Sequence, residues 1–285
     1  MLAIIGTVPI QDFPITCGRI CLTGMNLSIS DTAVDVNRGT AALMAAAAAT
    51  CNFLGTEQPY GFLVGDIGHG KGSRNLYKFF CTHLPDYSFN TLTFHYLQPI
   101  AHWHNNILAA IDAVAPRPVT IADAGFMYAA KMSGYARRYD LFTPDVGELA
   151  FLADESAPHP LYTRGFLLHD ENRAEQLIER AYAHGNAATV LLVKGRRDLV
   201  VRNGKILHTI SEPCVEALEA IGGTGDTITG IVSALISSGM DRVEASVKAA
   251  MANRIAGSLA NPTPATNVSE IITMIPNALS SLFSG

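Results

Sequence analysis

With 285 residues, 48% of them hydrophobic and 16% charged, the chain has the composition of an ordered globule long enough to bury a large core, and not of a disordered polymer. A net charge of −5 without a basic run argues against nucleic acid as the main partner; anionic ligands stay open, because a local nest of backbone N–H groups binds them whatever the net charge. Five sparse cysteines (Cys17, Cys21, Cys51, Cys81, Cys214) lack a second pair to complete a zinc site, so reduced thiols in a cytoplasmic protein are expected.

The N-terminus, Met1–Gly6, has no basic start and soon reaches Gln11 and Asp12, so it reads as a first strand and not as a signal peptide. Gly39–Thr56 is uncharged but mostly alanine, too weakly apolar for a membrane span, and is expected to be a close-packed core helix. Strands follow at Tyr60–Gly65, Thr91–Leu97, Val119–Ala122 and Leu141–Thr143, with helices from about Ser73, around Asn106–Val114, from near Gly125 and over Gly147–Leu152. Asp170 is placed to cap a helix that runs to Ala183 and stops at Gly185. Thr189–Val193 reads as a buried strand, and Leu199–Arg202 with Lys205–Ile210 as a hairpin through Asn203-Gly204. Helices close the chain: one after Asp226, one capped by Asp241, and one over Val268–Leu282 bent at Pro276. Alternating strands and helices predict an α/β protein, a single domain over residues 1–285 with a mostly parallel sheet covered on both faces.

Gly222-Gly223-Thr224-Gly225-Asp226 carries the strongest chemical signal. Its glycines permit a tight turn and a close backbone approach, and the apolar residues Ile228, Ile231, Val232, Leu235 and Ile236 place a helix immediately after it. A helix N-terminus presents free N–H groups to an anion. A carboxylate there is repelled by bound phosphate, so Asp226 is read as a base that takes a proton from an attacking hydroxyl.

Other candidates cluster at strand ends, where ligands collect in such sheets. Lys194-Gly195 follows a strand and suits a phosphate, though a solvated lysine fits the same position. Asp145 and Glu148 open a helix; they suit either a hydrated Mg²⁺ or the helix dipole alone. Asp123 ends a strand at the same rim. Gly65–Ser73 nearly spells a Walker A loop, but Gly72 stands where the hydroxyl belongs, so a glycine loop lining another kind of site is preferred to a P-loop. His95, with the His102/His104 pair, is expected to be structural or substrate-facing more than metal-binding.

The order of these motifs resembles the ribokinase-like superfamily, and within it the nucleotide-dependent NAD(P)H-hydrate dehydratases. Thr143–Glu148 is similar to their T-P-H-P-G-E, Ile121–Ala124 to D-A-D, and Gly222–Gly230 to G-G-[ST]-G-D-x-L-T-G, while Gly65-Asp66-Ile67-Gly68 is aligned with G-P-G-L-G. Ala256-Gly257 and Ile275–Leu279 are similar to the family's final helices, so the likeness runs from about residue 60 to 282. Asp145-Val146 stands for His-Pro, Asp66 for a proline, and Arg196-Arg197-Asp198 for small residues and a threonine, while residues 1–59 match the family's opening poorly.

The resemblance implies a three-layer α/β/α sandwich and phosphoryl transfer to a small-molecule hydroxyl, in the dehydratases an ADP- or ATP-dependent dehydration of NAD(P)H hydrate. It assigns Asp226 as base, and Gly222, Gly223, Thr224, Gly225, Lys194 and Gly195 to the nucleotide phosphates. Asp66, Gly68, Asp123 and Asp145 fall to the substrate, and Glu148 to Mg²⁺ through water. A homo-oligomer is expected on the same ground. Two alternatives stand beside it: a kinase of a sugar, nucleoside or vitamin-precursor alcohol, and a nucleotide-binding regulator without catalysis.

Overall fold

The protein is described by a computed structural model over residues 1–156 and 173–284. Its strands are β1 (Leu2–Val8), β2 (Thr16–Thr23), β3 (Asn26–Ile29), β4 (Thr32–Val34), β5 (Tyr60–Gly65), β6 (Thr91–His95), β7 (Val119–Ala122), β8 (Leu141–Phe142), β9 (Val190–Val193), β10 (Asp198–Arg202) and β11 (Lys205–Ile210). They form one sheet in the order β11-β10-β9-β8-β7-β6-β1-β5-β2-β3-β4. The six strands from β9 to β5 are mutually parallel, and antiparallel strands extend both edges. The expected mostly parallel α/β sheet is therefore present.

The helices are α1 (Thr40–Leu54), α2 (Lys71–His83), α3 (Ala101–Asp112), α4 (Gly125–Met132), α5 (Val146–Ala153), α6 (Ala174–Ala183), α7 (Thr224–Ser237), α8 (Arg242–Leu259), α9 (Val268–Ile272) and α10 (Ile275–Phe283). Successive residues of β1 point to opposite faces: Leu2 and Ile4 join a core with α1 and α7–α10, whereas Ala3 and Ile5 join one with α2–α6. Both faces of the parallel strands are thus buried, which explains their continuous apolar runs. Among the described residues no helix is long and apolar enough to cross a membrane.

One element was not anticipated and one expectation changed. The β2–β4 meander was not anticipated; it builds out from β5, and its strands alternate buried and exposed residues over short lengths. The C-terminal helix is two helices, not one bent at Pro276. The break falls at Thr273–Met274, and Pro276 sits in the first turn of α10, where a missing N–H costs nothing. Asp170, the predicted cap, lies outside the described residues, and α6 is described from Ala174. The Asp241 cap is present, its carboxylate accepting from Val243 and Glu244 N–H.

Two packing features position the C-terminal edge of the sheet. The first is the close crossing of α1 over α7, made possible by small residues. A Cβ on Gly230 would lie 2.2 Å from the Leu43 carbonyl oxygen and 3.0 Å from the Ala46 Cβ. The second is a buried ion pair: Arg254 Nε donates to Asp198 Oδ2 at 2.7 Å, with side-chain exposures of 10% and 3%. Arg254 also donates to the carbonyls of Gly195, Arg196 and Ser211, while the Gly195 N–H donates to Asp198. One guanidinium thereby fixes the turn between β9 and β10 and the strand exit after β11.

Both features predict stability changes measurable by urea unfolding. Gly230→Ala forces the helices apart and should cost about 1–3 kcal/mol. Arg254→Met leaves a buried carboxylate without its partner and should cost about 3–5 kcal/mol.

Candidate active site

The C-terminal ends of β1, β6, β7, β8 and β9 and the N-termini of α1 and α7 meet at one edge of the sheet. α7 begins after Gly223, whose φ of 99° is open to glycine at little cost. Its first turn leaves backbone N–H groups with no partner inside the helix. Asp226 lies in that turn, but its carboxylate faces away from those amides. Oδ2 accepts from Gly39 N–H, at the start of α1, at 2.7 Å, and Oδ1 lies 3.0 Å from His95 Nε2, at the end of β6.

His95 is wholly buried, and its Nδ1 is 3.0 Å from the Thr40 hydroxyl, which donates to the Thr7 carbonyl at 2.7 Å. Burial would raise the Asp226 carboxyl. The hydrogen bond and charge of His95, the charge of Lys194 and the Gly39 N–H outweigh it, and hold the group below its ordinary value of 3.8. Asp226 is therefore a carboxylate.

Beside it stands a second carboxylate, Asp123, at the end of β7. Lys194 Nζ donates to both its oxygens at 2.9 Å, the Thr229 hydroxyl donates to Oδ2 at 2.6 Å, and Ala124 N–H donates to Oδ1 at 2.8 Å. Burial opposes the charge on Lys194, but Asp123, Glu148 and Asp226 more than compensate and raise its ammonium above the ordinary range. The lysine stem runs beside Gly225, its Cδ 3.7 Å from where a Cβ would stand. Lys194 thus lies beside the glycine turn.

Thr143–Glu148 is adjacent, because Asp145 bridges Lys194 as the sheet's last pairing on that side. Asp145 and Glu148 form a capping box: Asp145 accepts from Glu148 N–H at 2.7 Å and Glu148 accepts from Asp145 N–H at 2.8 Å. Burial pushes the Glu148 carboxyl well up; Lys194 opposes this, and the charges of Asp145 and Asp123 reinforce it. Four acidic side chains (Asp123, Asp145, Glu148, Asp226) thus gather around Lys194 and His95, a donor set rich in oxygen that suits a divalent cation.

A cavity of about 460 Å³ opens beside these groups, lined by Lys194, Gly195, Thr224 and Gly225 on its polar side and by Val215 and Leu218 on its apolar side.

The structure does not bring Asp66 and Gly68 to this group. They follow β5, which is separated from β6 by β1. The Asp66 carboxylate accepts from Gly68, Gly70 and Ser73 N–H and from the Ser73 hydroxyl at 2.8–3.0 Å. The near-Walker loop therefore fills its own anion nest, and the strand beside β7 carries His95 and Tyr96 instead. His102 and His104 also lie elsewhere. His102 is exposed on α3, and His104 is buried against the Tyr139 hydroxyl, its imidazole pulled down to about 4 by burial.

Several residues of the site were not singled out from sequence. Gly39 and Thr40 sat in a stretch read only as a core helix. Tyr96 has a left-handed φ of 51° and packs its ring on His95 with centroids 4.3 Å apart. Arg38 lies against the glycine turn, its Cδ 3.5 Å from where a Gly222 Cβ would stand, and no ion pair engages it among the described residues. A basic residue and a glycine just before a long helix were the available signals.

Comparison with known proteins gives this edge a lineage. The profile of a family described as NAD(P)H-hydrate dehydratase matches residues 102–277. An uncharacterized protein of Methanocaldococcus jannaschii is 44% identical over 216 residues, covering 75% of this chain and 88% of that one. The bifunctional NAD(P)H-hydrate repair enzyme of Hyperthermus butylicus is 34% identical over 110 residues, which are 38% of this chain and 19% of the relative, so this chain spans about a fifth of that length. The crystal structure of the ADP/ATP-dependent NAD(P)H-hydrate dehydratase of Bacillus subtilis superposes with a TM-score of 0.58 at 15% identity, over 99% of this chain and 91% of that one. A ribokinase-like superfamily protein of Enterococcus faecalis gives a TM-score of 0.58 at 14% identity, over 98% and 86% of the two chains. The fold is ribokinase-like, and the chain belongs to the NAD(P)H-hydrate dehydratase family.

Proposed function

We propose that this protein uses ADP or ATP to dehydrate NAD(P)H hydrate. The observation that carries the reading is the ionised Asp226, held at the mouth of the Gly222–Gly225 turn with its carboxylate turned off the turn's own amides. Family membership favours this reaction over phosphorylation of a sugar, nucleoside or vitamin-precursor alcohol, and over binding without catalysis.

A hydroxyl is a poor leaving group. Phosphoryl transfer remedies this: the hydroxyl oxygen bonds to phosphorus, the bond from phosphorus to the nucleotide breaks, and the hydroxyl proton passes to Asp226. The C–O bond to phosphate then breaks with loss of a proton from the neighbouring carbon, and the ring double bond returns. The amides of Gly223, Thr224 and Gly225 stabilise charge on the moving phosphoryl group, with Lys194 and Arg38 beside them. Thr224, Gly225, Val215 and Leu218 line the space for the nucleotide. Asp123 serves as the anchor that aims Lys194, since both its oxygens are engaged.

The residues present fit Mg²⁺, because Glu148 and Asp145 offer carboxyl oxygens side by side, and a divalent cation there would offset the burial and mutual repulsion that push the Glu148 carboxyl up. Glu148 would hold the ion through water, with Asp145 beside it, and the ion supplies further charge neutralisation at the phosphates.

The test supplies purified protein with hydrated NADH, Mg²⁺ and either ADP or ATP, and follows the return of NADH absorbance. Recovery with one nucleotide is expected. Asp226→Asn should keep nucleotide binding while turnover falls by about 10²–10⁴-fold. Wild-type turnover in that variant would refute the assignment of the base.

A further inference from the structure

The proton arrangement around His95 is fixed by its neighbours. The Thr7 carbonyl can only accept, so Thr40 spends its single hydroxyl proton there at 2.7 Å. Toward His95 the Thr40 oxygen is then an acceptor, and Nδ1 must donate across the 3.0 Å contact. A neutral imidazole protonated at Nδ1 would turn the lone pair of Nε2 onto Asp226 Oδ1 at 3.0 Å, a repulsive contact between two acceptors. Where no metal ion bridges His95, Asp123 and Asp226, a proton must lie between them. The Gly39 N–H on Oδ2 and the nearby Lys194 favour the form in which nitrogen holds it and Asp226 is the carboxylate.

We infer that His95 carries both ring protons in the resting protein and is the positioning residue that keeps Asp226 ionised and fixes the plane of its carboxylate. The inference deepens the reading of Asp226 as base and rests on it. Every group facing the pair fits the assignment. Asp226 comes from α7. Asp123, at the end of β7, has Oδ2 3.9 Å from His95 Nε2. Lys194 at the end of β9 is committed to Asp123, Glu148 on α5 adds a further acid, Tyr96 covers the ring from β6, and Arg38 stands before α1. The imidazolium thus sits between two carboxylates, and Asp123 Oδ2 stands between it and the Lys194 ammonium. With Gly39 N–H on Oδ2 and Nε2–H on Oδ1, the carboxylate is held at two points, and its remaining lone pairs are left for the acceptor hydroxyl.

The sign of the pH effect follows. Asp226 acts as a base only when ionised, so activity is lost as pH falls through its depressed value; removing the imidazolium raises that value and moves the acid limb of kcat/KM upward. Two variants separate charge from aim. His95→Gln keeps a donor of similar reach without the charge, and should raise the acid limb by about 1–3 pH units with a smaller loss of kcat above the limb than His95→Ala shows. His95→Ala loses both, and should also lower that kcat by up to about 10²-fold with little change in KM. Nitrogen-resolved NMR of the imidazole in the resting wild-type protein reads the proton count without any turnover, and stands even where a buried-site variant folds poorly. Two protonated ring nitrogens near neutral pH are expected, reverting to one in Asp226→Asn. A bare Nε2 in wild type, or an acid limb unmoved in both His95 variants while Asp226→Asn is inactive, would overturn the inference. Full turnover in Asp226→Asn would instead remove the base assignment beneath it, a result read separately from the histidine variants and the NMR signal.

Discussion

Burying charge at the end of a parallel sheet is the constraint on which this site depends. Asp123, Lys194, His95 and Asp226 are all largely withdrawn from water, and a buried charge is tolerated only with a partner and satisfied hydrogen bonds. The partners come from strands and helices far apart in sequence. Asp123 holds Lys194 across the sheet and Thr229 from the helix above it; His95 and Gly39 hold Asp226. Each pairing works only if α7 lies close to both α1 and the sheet. The small residues at the crossing of α1 and α7 are therefore part of the chemistry as much as of the core.

Two glycine loops in this chain show how the same local grammar gives opposite outcomes. Both lead into a helix, and both carry an aspartate. In the first, Asp66 precedes the turn and folds back on the amides of Gly68, Gly70 and Ser73, so the nest is filled by its own side chain. In the second, Asp226 lies inside the first turn of α7, and both its oxygens are drawn off by Gly39 and His95. The amides of that turn stay available to an anion. What decides between a self-capped helix and a phosphate cradle is thus the partner each carboxylate finds, not the glycine spacing.

The same distinction explains what could be read from the sequence. The alternation of apolar runs with helical periods identified the parallel core, because burial on both faces leaves an unmistakable pattern in strands such as Val190–Val193. The turn at Gly222–Asp226 was legible because glycines at those positions have few other uses. Asp66 was misplaced because a glycine-rich string before a helix does not reveal where its N–H groups point. Arg254 and Asp198 went unnoticed as a pair, since 56 residues separate them and only the fold brings them together. The β2–β4 meander escaped for another reason: short, half-exposed edge strands bury too little surface to enforce a clear pattern. His95 was visible as a residue at a strand end, but its role depends on Thr7, Thr40 and Asp226, three contacts that sequence order conceals.

A division within the site follows from where those contacts lie. The region matched by the family profile, residues 102–277, contains Asp123, Glu148, Lys194, the glycine turn and Asp226. Every group that holds the Asp226 carboxylate in place, Gly39 and His95 directly and Thr7 and Thr40 behind them, lies before it. The matched region thus supplies the glycine turn, the lysine beside it and the Asp226 carboxylate itself. The stretch before it supplies the partners that set how strongly and in which direction that carboxylate is held. A carboxylate's usefulness as a base depends on both, since the charges that keep it ionised also weaken its pull on a proton. The Asp226 carboxylate is therefore held from outside the region that the profile matches, where α1 and β6 close over the start of α7.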